Sequence, residues 1–223
     1  TGAGLSKVDV ILTNPPFGGE EERGILSNFP EDKQTAETAL LFLQLIMRKL
    51  KRAPKPGRAA VVVPNGVLFG DGIAARIKEE LLREFNLHTI LRLPNGVFAP
   101  YTNIPTNILF FDRSGPSTDV WFYEHALPEG RRNYTKTAPL QLAELDECRA
   151  WWGKREETDR AWKTPAAELI EAGCNLDRRN PRGAQDVMML PPETLAESIR
   201  TKELQIAAIM DRVKRLLGEA THG

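Results

Sequence analysis

The chain has 223 residues, of which 41% are hydrophobic and 27% charged, as in an ordinary globular protein. Lys and Arg number 30, as do Asp and Glu, so the total charge gives no reason to expect nucleic-acid binding, although it would not reveal a local basic patch. The absence of a long apolar run and of a signal peptide argues against a membrane protein and indicates a cytoplasmic one. Cys148 and Cys174 form no CxxC pair, so we expect reduced thiols rather than a disulfide framework or a zinc site.

Strand-like and helix-like segments alternate over the first half of the chain. Short β-branched runs predict the strands, and apolar residues at helical spacing predict the helices. In chain order these are strand 8–12, helix 35–51 with Thr35 as its N-cap, strand 58–64, helix 72–85, and strands 88–94 and 106–112. The order β-α-β-α-β-β predicts a mainly parallel sheet. The last link is too short for a crossover helix and predicts an antiparallel hairpin at the end of the sheet.

The second half of the chain has weaker signals until its end. We expect one strand within 119–127, a short helix within 140–152 and a mostly irregular segment over 153–192. Residues 192–220 predict a long helix, because apolar residues recur there at alternating steps of four and three. This seam consists of Leu195, Ile199, Lys202, Ile206, Ile209, Val213 and Leu216, and only Lys202 interrupts it.

The stretch DVILTNPPFGG, residues 9–19, carries the clearest chemical signal. A strand runs directly into Asn14, two prolines that stiffen the backbone, and Phe17. Ligands of doubly wound sheets bind beyond the carboxyl ends of the strands, which is where Asn14 falls. An Asn-Pro turn needs neither a second proline nor an aromatic ring, and Gly18-Gly19 suggests the close approach of another group.

The NPPF motif after a strand resembles the catalytic motif of amino-group DNA methyltransferases. Together with RAAVVVPNGVLFG (58–70) and LRLPNGVFAPYTNIPTNILFFDR (91–113), it resembles the modification (M) subunit of type I restriction-modification systems. The resemblance covers most of residues 8–124 and, more loosely, CNLDRRNPR at 174–182. It implies an α/β fold, the carboxyl-terminal half of a Rossmann-like class I methyltransferase sheet. It also implies methyl transfer from S-adenosylmethionine to the N6 amine of adenine in DNA.

The resemblance assigns roles to the motif residues. The side-chain carbonyl of Asn14 and the backbone carbonyl of Pro15 would accept hydrogen bonds from the target amine. Pro16 completes the rigid turn, and Phe17 would stack on an adenine flipped out of the duplex.

Three further residues are expected to bind the substrate. Phe98 matches the position of a second stacking ring, Tyr101 is a weaker competitor for that role, and Asn65 follows the second long strand at the same sheet edge. A loop phenylalanine that closes the sheet edge and a simple turn asparagine are the alternatives. The basic clusters Arg131, Arg132 and Lys136, and Arg178, Arg179 and Arg182, would contact phosphates or else form solvated surface.

One departure from the family concerns the cofactor. The family binds S-adenosylmethionine through a Gly-rich turn upstream of the NPPF strand, which this sequence does not contain, so no cofactor-binding residue is assigned. We therefore expect the carboxyl-terminal part of a longer enzyme that is inactive alone. The expected regions are a catalytic half (1–126), a connecting and partly helical region (127–191) and a C-terminal helix for partner binding (192–223). No metal site is expected.

The resemblance also implies partners. The seam of helix 192–220 would bind the specificity subunit, which recognises the DNA target, and the restriction subunit would join indirectly. Packing of this helix onto its own domain is the alternative. Two other functions stay open: an NPP-motif methyltransferase that acts on protein glutamine or RNA, and a non-catalytic assembly module.

Overall fold

The structure, a computed structural model, describes residues 6–182, 197, 200–207, 209–211 and 213–214. The chain divides into two compact units, residues 1–183 and 184–223. The first unit contains the strands β1 Val10–Thr13, β2 Arg58–Pro64, β3 Asn86–Leu93, β4 Thr106–Asp112, β5 Asp119–Glu124 and β6 Ala161–Pro165. Its α-helices are α1 Arg23–Leu26, α2 Thr38–Lys49, α3 Gly66–Phe69, α4 Ile73–Glu84, α5 Asp146–Lys154 and α6 Ala166–Glu171.

The six described strands form one mixed sheet in the order β1-β2-β4-β3-β5-β6. The pairs β1–β2 and β3–β5 are parallel, and the other neighbours are antiparallel. The α/β class and the antiparallel β3–β4 hairpin are confirmed. The prediction of a mainly parallel sheet is wrong: three of the five described strand pairs are antiparallel, because β4 pairs with both β2 and β3 and β6 pairs antiparallel with β5. However, β4 lies between β2 and β3, with which it pairs on both sides. The hairpin is not at the end of the sheet, because β5 and β6 extend the sheet beyond β3.

Helices α2, α4 and α6 cover one face of the sheet. Alternate residues of β2, namely Ala59, Val61 and Val63, are buried on this face, as a strand with one side packed on helices requires. Leu43 of α2 and Ile77 of α4 are fully buried against them. A second apolar cluster lies around α5, where Trp151 packs with Leu91 and Tyr123.

Two local predictions need correction. Thr35 is not the N-cap of α2: the helix begins at Thr38, and Glu37 is extended because it forms an antiparallel bridge with Glu20. Segment 153–192, expected to be mostly irregular, contains β6 and α6. Strand β6 has only five residues and ends at a proline, so its apolar pattern is too short to read, but Ala161 and Trp162 are buried where it pairs with β5.

The second unit is helical at each of its described residues, 197, 200–207, 209–211 and 213–214. Of the predicted seam, Lys202, Ile206, Ile209 and Val213 lie in this helix and are exposed. Leu195, Ile199 and Leu216 fall outside the described residues. None of the helices that the structure describes is long and apolar enough to span a bilayer.

Candidate active site at the carboxyl edge of the sheet

Three chain segments leave the sheet at its carboxyl edge, the side on which β1, β2 and β3 end. Asn14 follows β1 and Asn65 follows β2, and both lie at this edge because the two strands are parallel. The loop 94–105 joins β3 to β4 at the same edge, where Thr106 pairs with both Pro64 and Leu93. The strand ends thus bring together three motifs that are separated in sequence, at residues 9–19, 58–70 and 91–113.

The NPPF turn presents the Asn14 side chain to solvent. Asn14 is exposed and its side chain makes no hydrogen bond to the part of the chain that the structure describes, whereas Pro15 is buried. After the turn, the carbonyl of Gly19 accepts hydrogen bonds from the Thr38 amide at 3.4 Å and from the Thr38 hydroxyl at 3.0 Å. The start of α2 therefore holds the far end of this turn.

The two glycines after Phe17 are explained by backbone conformation. Gly18 and Gly19 have φ values of 136° and 114°, which side chains disfavour. A Cβ on Gly18 would meet nothing within 4 Å in the described structure, and one on Gly19 would meet the Thr38 hydroxyl oxygen at 3.2 Å. The close approach expected here is therefore to the start of α2, at Gly19 only.

Phe17 and Phe98 meet, although they are far apart in sequence. Their ring centroids are 4.9 Å apart with an interplanar angle of 74°, an edge-to-face pair. Both rings are half-buried. They touch directly, so a base could stack on the open side of the pair or enter after Phe98 moves, but could not lie between the rings as they stand.

The other two predicted substrate residues differ from Phe98. Tyr101 is 93% exposed, on the same loop as Phe98. The Asn65 side-chain oxygen accepts a hydrogen bond from the buried Asn107 side chain at 3.0 Å, and its backbone amide donates to Pro105. These contacts give Asn65 a structural role, joining the end of β2 to the start of β4.

Tyr134, which no sequence motif marked, anchors loop 94–105. Its backbone amide donates to the Asn95 carbonyl at 3.0 Å. Its hydroxyl donates to the Glu144 carboxylate at 2.6 Å and lies 3.0 Å from Nε2 of His125. Burial, followed by the hydrogen bond to Glu144, raises the pKa of Tyr134, and burial lowers the pKa of His125. Only long-range contacts reveal this cluster, so a local pattern could not have found it.

Segment 174–182 also runs along this edge of the sheet. The Leu176 amide donates to the Leu68 carbonyl at 2.9 Å, next to the end of β2. Arg92, near the end of β3, forms an ion pair with Asp177. The Asn180 side chain donates to the Asp159 carbonyl at 2.6 Å. The loosely similar CNLDRRNPR segment is thus tied to the same edge as the NPPF turn.

Half of the predicted basic residues are neutralised by carboxylates. Arg131 pairs with Glu144 at 3.3 Å, Arg178 with Glu168 at 3.6 Å and Arg182 with Glu157 at 2.6 Å. The other three predicted basic residues, Arg132, Lys136 and Arg179, are exposed and form no ion pair with the described residues.

The flank of β1 that precedes Asn14 is open in the described structure. Cavities of about 320 Å³ beside Trp151 and about 460 Å³ beside Lys51 are lined by neither Asn14 nor Phe17. Strand β1 pairs only with β2 in the described sheet, and its Leu12 is 77% exposed. These residues alone therefore do not fit a whole S-adenosylmethionine molecule. Within the described residues, no three His, Cys, Asp or Glu side chains are grouped to hold a metal ion.

Comparison with solved structures identifies the fold class. The chain matches the crystal structure of a modification subunit of a putative type I restriction enzyme from Vibrio vulnificus YJ016 with a TM-score of 0.79 and 62% identity, over 83% of this chain and 41% of that one. It matches the type I restriction enzyme EcoKI M protein with a TM-score of 0.66 and 26% identity, over 96% of this chain and 51% of that one. The fold is that of these type I modification subunits, as expected from the sequence.

The sequence comparisons then give the family. The chain belongs to the N-6 DNA methylase family, whose model matches residues 3–188. Among curated relatives, it is 49% identical over 224 aligned positions to the type I restriction enzyme EcoEI methylase subunit of Escherichia coli. That alignment covers 97% of this chain and 45% of the relative, so the chain spans less than half the relative's length.

Proposed function

We propose that this chain carries the catalytic residues of a type I modification subunit that methylates the N6 amine of adenine in DNA. One observation supports this most directly: Asn14 and Pro15 stand at the carboxyl edge of the sheet with Phe17 beside Phe98. Membership of the N-6 DNA methylase family implies the reaction and S-adenosylmethionine as the methyl donor. We also propose that the protein acts in the cytoplasm.

The exocyclic amine of adenine is a poor nucleophile, because its lone pair is delocalised into the purine ring. Hydrogen-bond acceptors placed on its two protons favour a tetrahedral nitrogen, whose lone pair can attack a methyl group. The side-chain carbonyl of Asn14 and the backbone carbonyl of Pro15 are the proposed acceptors. Neither group needs to ionise, so their contribution is orientation and electrostatic stabilisation.

The target base can reach Asn14 only after it leaves the duplex. An aromatic face at the site offsets part of the stacking energy that the base loses. Phe17 is adjacent in sequence to the NPP turn, and Phe98 contacts it from loop 94–105 at a centroid distance of 4.9 Å. We assign both rings to stacking of the flipped adenine, while Tyr101 lies outside the pair.

Substitution of Asn14 tests this mechanism. In the complete natural polypeptide that contains this sequence, Asn14→Ala should lower the rate of methyl transfer by roughly 10²–10³-fold, since loss of one preorganised polar group typically costs about 2.7–4 kcal/mol of barrier. S-adenosylmethionine binding should change little. Asn28→Ala is the matched control, because the exposed Asn28 side chain donates only to the Ile25 carbonyl. Full activity of the Asn14 variant, measured with labelled cofactor and unmethylated DNA, would exclude the mechanism.

Mass spectrometry of nucleic acid and protein from producing cells distinguishes the proposed reaction from its alternatives. We expect N6-methyladenine in DNA that disappears in the Asn14→Ala strain. Methylglutamine or methylated RNA with the same dependence would instead identify another substrate. The relatives described above are all named as components of restriction enzymes, and none of their names indicates a protein or RNA substrate.

The C-terminal helix is our candidate for binding the specificity subunit, through which the restriction subunit would join the complex. Its described apolar residues are exposed by 42–66%, namely Leu204, Ile206, Ile209, Met210 and Val213. Burial of such side chains against a partner stabilises a complex by about 1.5–3 kcal/mol each. The relatives are named as subunits of type I enzymes, which supports an assembly role.

Point variants test this partner without removing the helix. Ile206→Glu with Ile209→Glu should prevent co-purification with the specificity subunit, as should deletion of residues 192–220. Thr201→Glu with Gln205→Glu, also at exposed helical positions, is the charge-matched control. Undiminished complex formation by both the apolar-face variant and the deletion would assign the helix to another role.

A further inference from the structure

We propose that Tyr134 is a positioning residue that fixes loop 94–105, and with it Phe98, for stacking on the target base. The proposal rests on the proposed function, because it assumes that Phe98 receives a flipped adenine. Tyr134 acts through Asn95 and Gly96, and its own side chain is held by Glu144 and His125.

Loop 94–105 has few internal contacts to define its shape. Three backbone hydrogen bonds within it close a turn around Phe98: Ala99 donates to Gly96, and both Tyr101 and Thr102 donate to Phe98. The Ile104 amide also donates to the Thr102 hydroxyl at 3.0 Å. The ends of the loop are fixed by the pairing of Leu93 with Thr106. A loop of this length without regular structure is costly to order, so the direction of Phe98 depends on what anchors the loop.

The anchor is a contact between two backbones. Gly96 has φ of 81°, and a Cβ built on it would lie 2.0 Å from the Tyr134 carbonyl oxygen. The amide of Tyr134 also donates to the Asn95 carbonyl at 3.0 Å. Any side chain at position 96 would displace residue 134 or the loop, so the glycine of the LPNGVFAPY motif is required by the position of Tyr134.

The Tyr134 side chain determines where this backbone lies. Its ring is fully buried, and its hydroxyl donates to Glu144 at 2.6 Å while it lies 3.0 Å from Nε2 of His125. His125 follows β5, and its amide donates to the Arg92 carbonyl of β3 at 3.0 Å. Glu144 belongs to the 3₁₀ helix 142–145, whose capping box it forms with Gln141. The anchor is therefore tied to the sheet on one side and to this short helix on the other.

Small displacements of the loop should affect the reaction more than DNA affinity. Misplacement of a reacting group by about 1 Å can reduce a rate by roughly 10²-fold. Phe98 contacts Phe17 at a centroid distance of 4.9 Å, so movement of the loop changes the aromatic surface that is offered to the base. We expect contacts to the DNA backbone to be independent of this ring.

The test compares variants that keep or remove the hydrogen bond between the Tyr134 hydroxyl and the Glu144 carboxylate. Tyr134→Phe and Glu144→Ala remove it, whereas Glu144→Gln keeps an acceptor and should rescue function. Tyr123→Phe is the matched control, since Tyr123 is also buried but packs on Trp151 of α5. The complete natural polypeptide and its partner subunits are used with duplex DNA that carries either adenine or 2-aminopurine at the target position.

We expect Tyr134→Phe and Glu144→Ala to lower the single-turnover methylation rate about tenfold, with the dissociation constant for DNA unchanged within about twofold. The fluorescence emission of 2-aminopurine in the DNA bound to these two variants should shift in the same direction as in the DNA bound to Phe98→Ala. Glu144→Gln and Tyr123→Phe should match the wild type in both measurements.

The outcomes separate the two proposals. A wild type that does not methylate adenine refutes the proposed function. If the wild type is active, an unchanged rate and an unchanged emission in Tyr134→Phe and Glu144→Ala overturn the positioning role. The same holds if the melting temperature of these two variants falls while their rate and emission stay unchanged. An unchanged emission in Phe98→Ala also overturns it, because the loop would then not present a stacking ring.

Discussion

Replacement of Lys78 by Met should make the stability of the protein respond differently to pH. Lys78 lies on α4 and is 1% exposed, yet its ammonium group donates to the carbonyls of Leu68 at 2.7 Å and Gly70 at 2.8 Å. These carbonyls are at the end of α3, the helix that follows Asn65 at the site. Burial lowers the pKa of Lys78 from 10.5 to about 8, although Cys174 and Asp71 oppose this effect.

The direction of the effect follows from proton binding. Between pH 8 and 10.5 the unfolded chain keeps the proton on Lys78 while the folded chain releases it, so stability rises with pH over this interval. The favourable contribution is complete above pH 10.5 and is lost as pH falls through about 8. The full pKa difference corresponds to at most about 3 kcal/mol, and we expect about 1–2 kcal/mol, because the hydrogen bonds to the Leu68 and Gly70 carbonyls favour the charged form and offset part of its desolvation.

Urea unfolding of both proteins, followed by tryptophan fluorescence, measures this effect. The free energy of unfolding of the wild type minus that of Lys78→Met should increase by about 1–2 kcal/mol from pH 7.5 to pH 10.5. Groups common to both proteins cancel in this difference. Lys154→Met, at the exposed end of α5, controls for loss of a lysine. A difference that is constant or that falls with pH would refute the reasoning.

Two further substitutions test other parts of the fold. Burial and then Arg155 lower the pKa of His88 from 6.5 to about 4. The stability that this histidine contributes is therefore lost as pH falls from 6.5 through 4, and acid unfolding of His88→Gln should show a smaller loss of stability over that range. Gly57→Ala should destabilise the protein by about 1–3 kcal/mol, because the new Cβ would lie 2.7 Å from the Val8 carbonyl oxygen. Gly153→Ala, whose Cβ meets nothing within 4 Å of the described residues, should be neutral or stabilising when both are measured by thermal melting.

The sequence was most informative where apolar residues repeat over a whole element. The predicted strands 58–64 and 106–112 coincide with β2 and β4, and helices α2 and α4 lie within the predicted segments. Sheet order is a different kind of property, since it depends on which strands pair. Nothing within 106–112 indicates that β4 inserts between β2 and β3, so this position could not be read locally.

The candidate site was predictable to a similar extent. The NPPF motif and Phe98 were identified from the sequence, and their proximity is now observed, whereas their catalytic roles stay predictions. Tyr134 was missed because its signal is a contact with Gly96, not a local motif. Of the glycine pair after Phe17, only Gly19 has the close approach that was expected, and the positive φ of both glycines was missed, because a sequence does not distinguish a positive φ from a small space.

Both loops beside the NPPF turn are held by parts of the chain that follow β5. Leu176 binds the end of α3, after β2, and Tyr134 binds loop 94–105, after β3. Strand pairing places the motif residues at one edge of the sheet, but it does not fix the loops beyond the strand ends, which have few contacts of their own. The proposed acceptors and the proposed stacking ring require such support, because an orientation effect is lost when the groups move. Residues 127–182 therefore belong to the structure of the site, although the motifs that perform the proposed chemistry all precede them.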